Sequence, residues 1–326
     1  MVRTLALALL LALAGGRAHA AEQIVVSNYG VAANGMPYAI AMEKGFFQQE
    51  GADVSGILSS SGGGTTVRNL LGGNLAYGEV DLAGTVAAIQ QGAALKIISD
   101  NVLTTGEFVW AVKPDSPIRT LADFKGHKIG FTNPRSTSQA LDILLLEAGG
   151  MKPTDAETVR TGGFGEQVVA LGLGAIDVAT LADPVWSKNA ADLRLILHSA
   201  DALPPLCNVV GVTTVAAMAE KPAFIRAIVR ARRKAVAFMY AHPDEAAAIV
   251  AKVYDLDPAV AKSAITNLVT SKTQGVPYWG AGGFDYDGMN RMIRAQKIVG
   301  ALTEDPDWSK IVDTGFLPDD LKPKNE

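Results

Sequence analysis

Short apolar runs alternate with longer amphipathic segments over the first two thirds of the chain. The runs predict strands at residues 23–27, 53–59, 82–83, 95–100, 108–113, 128–131, 178–181 and 209–213. Helical spacing of apolar residues predicts helices at 38–49, 65–71, 85–91, 138–149 and 165–173. Strands that alternate with helices are typical of a mostly parallel sheet covered on both faces. The pattern therefore predicts a doubly wound α/β fold.

The pattern changes after the strand at 209–213. From residue 222 to 300 it is almost entirely helical, with Pro243 and Pro258 at first helical positions. Earlier, Thr120 and Asp123 form a capping-box pattern that predicts a one-turn helix. The basic run of Arg230, Arg232, Arg233 and Lys234 lies beside an apolar helix face, which predicts a solvated surface.

The strands 108–113 and 209–213 bracket a second α/β unit. We expect them to cross between two lobes and form a two-strand hinge. The predicted organisation is a signal peptide at 1–20, a discontinuous first lobe at 21–110 plus 212–326 with a helical C-terminal part, and an inserted second lobe at 111–211.

The first twenty residues have the composition of a cleavable export signal. Arg3 precedes an apolar run at 5–14, and Ala18-His19-Ala20 supplies the small residues of a cleavage site after Ala20. The apolar run is too short to span a bilayer as a helix. No Cys lies near the cleavage point to accept a lipid anchor, so we expect a freely diffusing periplasmic protein.

Charge and cysteine content narrow the function classes. Without the leader the chain carries 27 basic and 33 acidic residues, a balance that argues against a nucleic-acid partner. The single Cys207 excludes an intrachain disulfide, so stability must come from apolar cores. The chain is long enough for more than one core.

Two loops rich in Ser, Thr, Asn and Gly lie at 59–66 and 132–138, each between a predicted strand and a helix. The first turn of a helix has unpaired N–H groups and a partial positive charge, which favour anions and hydrogen-bond acceptors. In a doubly wound sheet, ligands bind beyond the carboxyl ends of the strands, where both loops are expected. Either loop taken alone is equally consistent with a flexible connection.

Five motifs occur in an order that resembles the periplasmic solute-binding proteins of nitrate, sulfonate and taurine import systems, a group that includes thiamine-pyrimidine binders. They are PYAIAMEKGFF at 37–47, SGG at 61–63, VDLAG at 80–84, LADFKGHKIG at 121–130 and ALGLGAIDVA at 170–179. The resemblance implies the type II periplasmic binding protein fold, two lobes that close on a small organic anion. It also implies a monomer that delivers its ligand to a membrane permease driven by an ATPase.

The resemblance and the loop chemistry together select thirteen candidate ligand contacts. They are Tyr29, Tyr38, Ser60, Ser61, Gly62, Thr85, Thr132, Asn133, Arg135, Ser136, Thr137, Asp183 and Trp186. Core packing explains Tyr38 nearly as well as ligand contact, and helix capping alone explains the neighbouring Ser138.

Arg135 is the most specific of these residues. A guanidinium in a cleft loop binds a carboxylate or sulfonate through two parallel hydrogen bonds. The sequence Asn133-Pro134-Arg135 is also consistent with an exposed turn.

Asp183 and Trp186 follow a predicted strand and are candidates for the rim of the second lobe. There the acid would accept from an amine, as in an amino-sulfonate, and the indole would cover an apolar part of the ligand. Asp183 is equally consistent with a simple helix cap. The aromatic cluster Tyr278, Trp279 and Phe284 is more typical of core packing and is left out of the site.

Motifs for catalysis are missing from the sequence: there is no Gly-x-Ser-x-Gly elbow, phosphate loop or His-Glu-x-x-His. The histidines after the leader are isolated, and with Cys207 they form no metal-ligand spacing. We therefore expect no catalytic residues, no metal and no cofactor. The alternatives are a heterocycle binder of the same family, an enzyme on the same two-lobed scaffold, and a sensory or chaperone-like module that binds a protein.

Overall fold

The computed structural model describes residues 22–323, in which helices surround two large β-sheets, and a separate two-stranded sheet lies at residues 272–277. The predicted signal peptide therefore lies outside the described residues. The strands are β1 Glu22–Ser27, β2 Val54–Ser60, β3 Gly78–Asp81, β4 Leu95–Val102, β5 Phe108–Val112, β6 Lys128–Phe131, β7 Glu157–Arg160, β8 Val178–Ala182, β9 Arg194–His198, β10 Val209–Thr214, β11 Lys272–Thr273, β12 Val276–Pro277 and β13 Trp279–Gly282.

Four of the five helices predicted before residue 200 begin and end close to the predicted positions, but the predicted helix 38–49 is two helices, interrupted at Gly45, which has φ +67°. The helices are α1 Met36–Glu43, α2 Phe46–Glu50, α3 Gly63–Gly72, α4 Leu82–Gln90, α5 Thr137–Ala148, α6 Phe164–Leu173, α7 Val185–Asn189, α8 Ser199–Ala202, α9 Val215–Glu220, α10 Pro222–Ala241, α11 Pro243–Tyr254, α12 Pro258–Thr270, α13 Tyr286–Ile298 and α14 Trp308–Ile311. Pro243 and Pro258 are the first residues of their helices, as predicted. None of the helices within residues 22–323 combines the length and apolar character required to cross a bilayer.

Each large sheet combines a parallel part with antiparallel strands. The first sheet has the order β13-β4-β10-β3-β1-β2, with β1 parallel to both β2 and β3, and β10 antiparallel to β3 and β4. The second has the order β7-β6-β8-β5-β9, with β6 parallel to β7 and β8. The carboxyl ends of the parallel strands are followed by helices α3, α4 and α5, and these positions carry the candidate site.

The chain crosses between the sheets at segments next to the predicted hinge strands. β5 pairs entirely within the second sheet and β10 entirely within the first. The crossings are therefore residues 103–107, between β4 and β5, and residues 199–208, between β9 and β10. The lobe boundaries predicted at 110/111 and 211/212 would cut these strands, and we propose to place them in the two crossing segments instead.

One predicted strand was wrong. Residues 82–83 begin helix α4, and the strand is β3, which ends at Asp81. Asp81 Oδ1 accepts a hydrogen bond from the Gly84 N–H at 2.6 Å and caps α4, so the chain turns into a helix at Leu82. Apolar residues continue from the end of β3 into the start of α4, so the apolar pattern could not show where the strand ends and the helix begins.

Two strands, β7 and β9, were not predicted. Their residues are half-buried or exposed; β7 has no continuous apolar run, and β9 has a run of only three apolar residues, Leu195 to Leu197. The C-terminal part also contains β11, β12 and β13, so it is less purely helical than predicted.

Helix α10 packs its apolar face against α1, α2 and β13 and joins the C-terminal part to the first sheet. The basic run on this helix is only partly a solvated surface. Arg233 pairs with Asp320 at the surface, whereas Arg232 is 2% exposed and pairs with the buried Glu79. The prediction of a solvated face was therefore wrong for Arg232.

A buried carboxyl in the second lobe gives a testable pH dependence. Asp142 Oδ1 accepts hydrogen bonds from Trp110 and Thr180, and burial raises the pKa of Asp142 to about 8. The folded protein therefore holds this proton more tightly than the unfolded chain does. The resulting stabilisation is complete below the ordinary carboxyl pKa and is lost as the pH rises through 8.

We expect Asp142→Asn to remove this contribution, because an amide has no proton to lose. In urea unfolding at pH 5 to 8, the free energy of unfolding should fall more steeply for the native protein, by up to about 1.4 kcal/mol per pH unit. Parallel curves for the two proteins would contradict the assignment.

Candidate functional site

The first hydroxyl-rich loop connects β2 to α3. Ser60 is buried and its hydroxyl contacts Thr66 Oγ1 at 2.7 Å, whereas Ser61 is exposed. Gly62 precedes α3 with φ +74°, a backbone conformation that glycine adopts without strain. Ser60 therefore shapes the loop, and Ser61 and Gly62 form its accessible surface.

A carboxylate of the protein already lies at the start of α3. Asp81 is half-buried, and its carboxylate accepts hydrogen bonds from the N–H groups of Gly63 and Gly84. Burial raises the pKa of Asp81, and these backbone hydrogen bonds oppose the rise. The partial positive charge of this helix start is thus partly neutralised, which makes the first loop a weaker anion site than its composition predicted.

The second hydroxyl-rich loop connects β6 to α5. Ser136 is the N-cap of α5 and accepts from Gln139 N–H, while Ser138 is buried and its hydroxyl bonds Thr132 N–H at 3.0 Å. Thr137, at the first helical position, is half-buried. The Ser138 hydroxyl thus connects the start of α5 to Thr132 within the loop. The N-cap of the helix is Ser136, not Ser138.

Two guanidinium groups flank this second loop. Arg135 is exposed, has φ +66°, and donates its backbone N–H to Gln139 Oε1 at 2.7 Å. Arg160 donates to Asn133 Oδ1, and Asn133 Nδ2 donates to Gly162 O, so Asn133 ties β7 to the loop. Within residues 22–323, Arg135 forms no salt bridge. The α5 start is therefore the positive side of the site.

Asn208 connects the two loops. Its carbonyl accepts from Leu82 N–H at 3.0 Å, next to Asp81, and its side-chain Oδ1 accepts from Thr137 Oγ1 at 3.3 Å. Asn208 lies in the return crossing, directly before β10. The α4 start of the first lobe and the α5 start of the second lobe therefore meet at one residue, and the two loops lie on the same side of the molecule.

Glu107 lies beside Asn208 in the outgoing crossing. Its Oε1 accepts from Asn208 Nδ2 at 2.8 Å, and the Tyr278 hydroxyl is a second hydrogen-bonding neighbour of the carboxyl group. Burial, with a smaller contribution from the nearby Asp183, raises the pKa of Glu107 to about 8, against the opposing effect of these hydrogen bonds. Glu107 is therefore a buried acid at the junction of the lobes.

Two of the candidates, Tyr38 and Thr85, are buried within the first lobe, and a third, Tyr29, is half-buried. Tyr38 is fully buried and donates its hydroxyl to Glu79 Oε2 at 2.6 Å, in the core of the first lobe. Thr85 is fully buried and bonds Asp81 O within α4. Tyr29 is half-buried, packs edge-on against Tyr254, and accepts from the Ser59 hydroxyl through its carbonyl. Burial raises the pKa of Tyr29 to about 12. We remove Tyr38 and Thr85 from the candidate contacts.

Asp183 and Trp186 have structural positions in the second lobe. Trp186 packs in the core against α6, with 7% of its surface exposed. Asp183 is buried, accepts from Ser187 Oγ at 2.6 Å, and accepts from Asn267 Nδ2 of α12 at 3.0 Å. Because α12 belongs to the C-terminal part, Asp183 links the two lobes rather than lining a rim.

Sequence reasoning missed Glu107 and Asn208. Neither belongs to a motif, and they are 101 positions apart in the chain. The available signal was weak: each is a polar residue directly before a strongly apolar strand, at the end of a crossing segment.

The chain forms two α/β lobes, and helix starts from both lobes meet where the chain crosses between them. This arrangement is typical of the two-lobed periplasmic binding protein folds. A family model described as NMT1/THI5 like matches residues 32–246, more than half of the chain. The chain belongs to this NMT1/THI5-like family. A search of curated protein sequences found no match.

Solved structures agree on the fold. The periplasmic aliphatic sulphonate binding protein SsuA from Escherichia coli is 18% identical, with a TM-score of 0.75 over 94% of this chain and 95% of that one. The alkanesulfonate-binding protein SsuA from Xanthomonas axonopodis pv. citri bound to MOPS is 18% identical, with a TM-score of 0.65 over 86% and 91%. A mutant of the desulfurization enzyme DszB in complex with biphenyl-2-sulfinic acid is 16% identical, with a TM-score of 0.65 over 90% and 97%.

Proposed function

We propose that this protein is the periplasmic solute-binding component of an ABC import system. It captures a small organic anion between its lobes and delivers it to the permease and its ATPase. The observation that carries the proposal is the contact of Asn208 with both helix starts, because a ligand at this point touches both lobes at once. The sulfonate ligands of the SsuA proteins with the same fold support an anionic ligand.

Closure follows from contacts on both sides of the cleft. Ligand contacts from both lobes exist together only when the lobes are close, so binding favours the closed form by the difference in affinity between the two states. The permease then recognises the closed form. The anion lies at the α5 start, where unpaired N–H groups, Arg135 and Arg160 provide positive charge.

The second candidate function is an enzyme, because DszB has the same fold. Cys207, the one cysteine of the chain, is fully buried and its Sγ–H donates to Asp100. Burial raises the pKa of the Cys207 thiol well above its usual range, with Asp100 adding to the rise. Such a thiol is a poor nucleophile, which favours binding over chemistry at this residue.

Native mass spectrometry of gently purified protein tests the proposal. A small anion bound at one copy per chain and released unchanged supports the solute-binding function. A chemically altered product supports the enzyme. A thermal-shift screen with sulfonates, carboxylates, nitrate and heterocycles then identifies the class of ligand, because a ligand specific to the folded state raises the melting temperature. A protein that neither carries an anion nor responds to any in the screen contradicts the proposal.

We expect Arg135→Ala to weaken binding of an anionic ligand about tenfold or more, because it removes a charge-assisted hydrogen bond. The side chain is exposed, so the free energy of unfolding should change by less than about 0.5 kcal/mol. Calorimetric titration measures the affinity. Arg119→Ala, an exposed residue of the second lobe with the same loss of charge, is the control and should bind normally. Equal affinities for the two variants would remove Arg135 from the site.

A further inference from the structure

Helices α7 and α12 form a direct contact between the two lobes, outside the chain crossings. Trp186 anchors α7 in a core cluster of the second lobe, and Ile265 and Leu268 anchor α12 in the core of the first lobe. Because each helix is packed into its own lobe, it moves with that lobe. The contact between α7 and α12 therefore exists when the lobes are close and is lost when they separate.

Asn267 of α12 supplies the central hydrogen bond of this contact. Its Nδ2 donates to Asp183 Oδ2 at 3.0 Å and lies 3.3 Å from Ser187 Oγ. Ser263, one turn earlier on the same helix face, has its Oγ 3.1 Å from Ser187 Oγ. Within the second lobe, the hydroxyl and the N–H of Ser187 already donate to the other oxygen, Asp183 Oδ1. Oδ2 of this buried carboxyl group thus takes its donor from the opposite lobe.

The contact lies at the same edge of the sheets as the candidate site. Asp183 follows β8, which runs parallel to β6, so it lies at the same end of the second sheet as the loop at 132–138. In the first lobe, α12 follows α11, whose Tyr254 packs on Tyr29, and the Tyr29 carbonyl accepts from Ser59 in the first loop. A contact on the ligand side of the crossings forms as the cleft closes. It therefore favours the closed form, as a bound ligand does.

The chemistry of the contact makes it reversible. A hydrogen bond to a carboxylate is stronger than one between neutral groups. When the lobes separate, water replaces the amide of Asn267, so the net advantage of the closed form is a fraction of the strength of the bond. Polar interfaces between parts of one chain typically allow relative motion. The contact between α7 and α12 can therefore favour closure without preventing ligand release.

We infer that Asn267 is a positioning residue that sets the ligand affinity without touching the ligand, because it holds α12 against α7 and favours the closed form. The inference rests on the proposed solute-binding function and adds a determinant of affinity outside the ligand contacts. The apparent affinity for a ligand that binds the closed form falls with the closed fraction of the free protein. Removing Asn267 lowers that fraction, so every ligand is weakened by one common factor.

Two measurements on the Asn267→Ala variant test this inference. Calorimetric titration with ethanesulfonate and with propanoate should show a loss of affinity of about two- to tenfold, by the same factor for both anions. Spin labels on Leu71→Cys of the first lobe and Leu173→Cys of the second lobe, both exposed positions, report the distance between the lobes in the ligand-free protein. The fraction with the longer, open distance should rise. Thr266→Ala, the neighbouring exposed position on α12, is the matched control and should change neither value.

The inference is overturned if Asn267→Ala leaves both the affinities and the distance distribution as they are in the native protein. Tighter binding also overturns it, because the contact would then favour the open form. A loss that differs between the two anions overturns it as well, since Asn267 would then act at the ligand. The proposed function fails separately, if the native protein binds no anion in the screen, and the label distances still test the contact in that case.

Two further variants keep the test decisive if Asn267→Ala does not fold. Ser263→Ala removes the smaller part of the contact and should shift the affinities in the same direction by a smaller factor. Asp183→Asn removes the charge that Asn267 binds, so the loss caused by Asn267→Ala should be smaller in the Asp183→Asn background than in the native protein. An unchanged affinity and distance in Ser263→Ala, or strictly additive losses in the double variant, would show that these residues do not act together across the cleft.

Discussion

Arg232→Leu is expected to lower the free energy of unfolding by about 3–5 kcal/mol, the cost of leaving a buried carboxylate without its counter-ion. Arg232 donates to Glu79 Oε2 at 3.1 Å, to Gly280 O at 2.8 Å and to Asn101 O at 2.6 Å. It thereby connects α10 to the first sheet through three hydrogen bonds. Urea unfolding of both proteins measures the loss.

The neighbouring Arg233 gives a matched control for this prediction. It forms a two-bond ion pair with Asp320 at the surface, and its removal should cost no more than about 1 kcal/mol. The double variant Arg232→Met with Glu79→Gln should recover part of the stability, because it removes the stranded charge. Similar losses for Arg232→Leu and Arg233→Ala would mean that the buried pair is not a determinant of stability.

Gly63→Ala is expected to destabilise the protein by about 1–3 kcal/mol and to weaken ligand binding about tenfold or more. A methyl group at this position would lie 1.8 Å from Asp81 Oδ2 and 2.6 Å from Asp81 Cγ. Asp81 cannot yield easily, because its carboxylate also caps α4 through Gly84. The starts of α3 and α4 would have to separate, and the first lobe's face of the cleft would change.

Gly64→Ala is the control for the second prediction. A methyl group there meets only Arg68 Nη1, at 3.7 Å. Replacing a glycine inside a helix should stabilise α3 by about 0.5–1 kcal/mol and leave the affinity unchanged. Thermal unfolding and calorimetric titration measure both effects. If Gly63→Ala and Gly64→Ala had the same stability and the same ligand affinity, the contact between Gly63 and Asp81 would not shape the cleft.

The contacts of Asp81 also change the chemistry expected of the two loops. From composition, the loops at 59–66 and 132–138 are equivalent anion sites. In the structure, Asp81 takes the first N–H of α3, whereas the α5 start is flanked by two guanidinium groups. The α5 start is therefore the more favourable of the two loops for an anionic ligand.

The sequence by itself determined most of the secondary structure, the two-lobed fold class and the two loops. These follow from local rules: apolar runs form strands, Pro243 and Pro258 start helices, and Thr120 with Asp123 caps the turn at Leu121–Phe124. The sequence indicated Ser138 as the cap of α5, whereas the structure has Ser136 there, and α3 begins two residues before the predicted helix, directly after Gly62.

Only the tertiary structure decided which polar residues are buried and which partners they have. Arg232 and Arg233 are adjacent in sequence, yet one pairs with Glu79, 153 positions away, and the other reaches solvent. Glu107 and Asn208 meet only because the chain crosses twice between the lobes. Burial and pairing depend on contacts distant in sequence, so no local pattern distinguishes the core residue Tyr38 from a ligand contact or shows that Glu107 is buried beside Asn208.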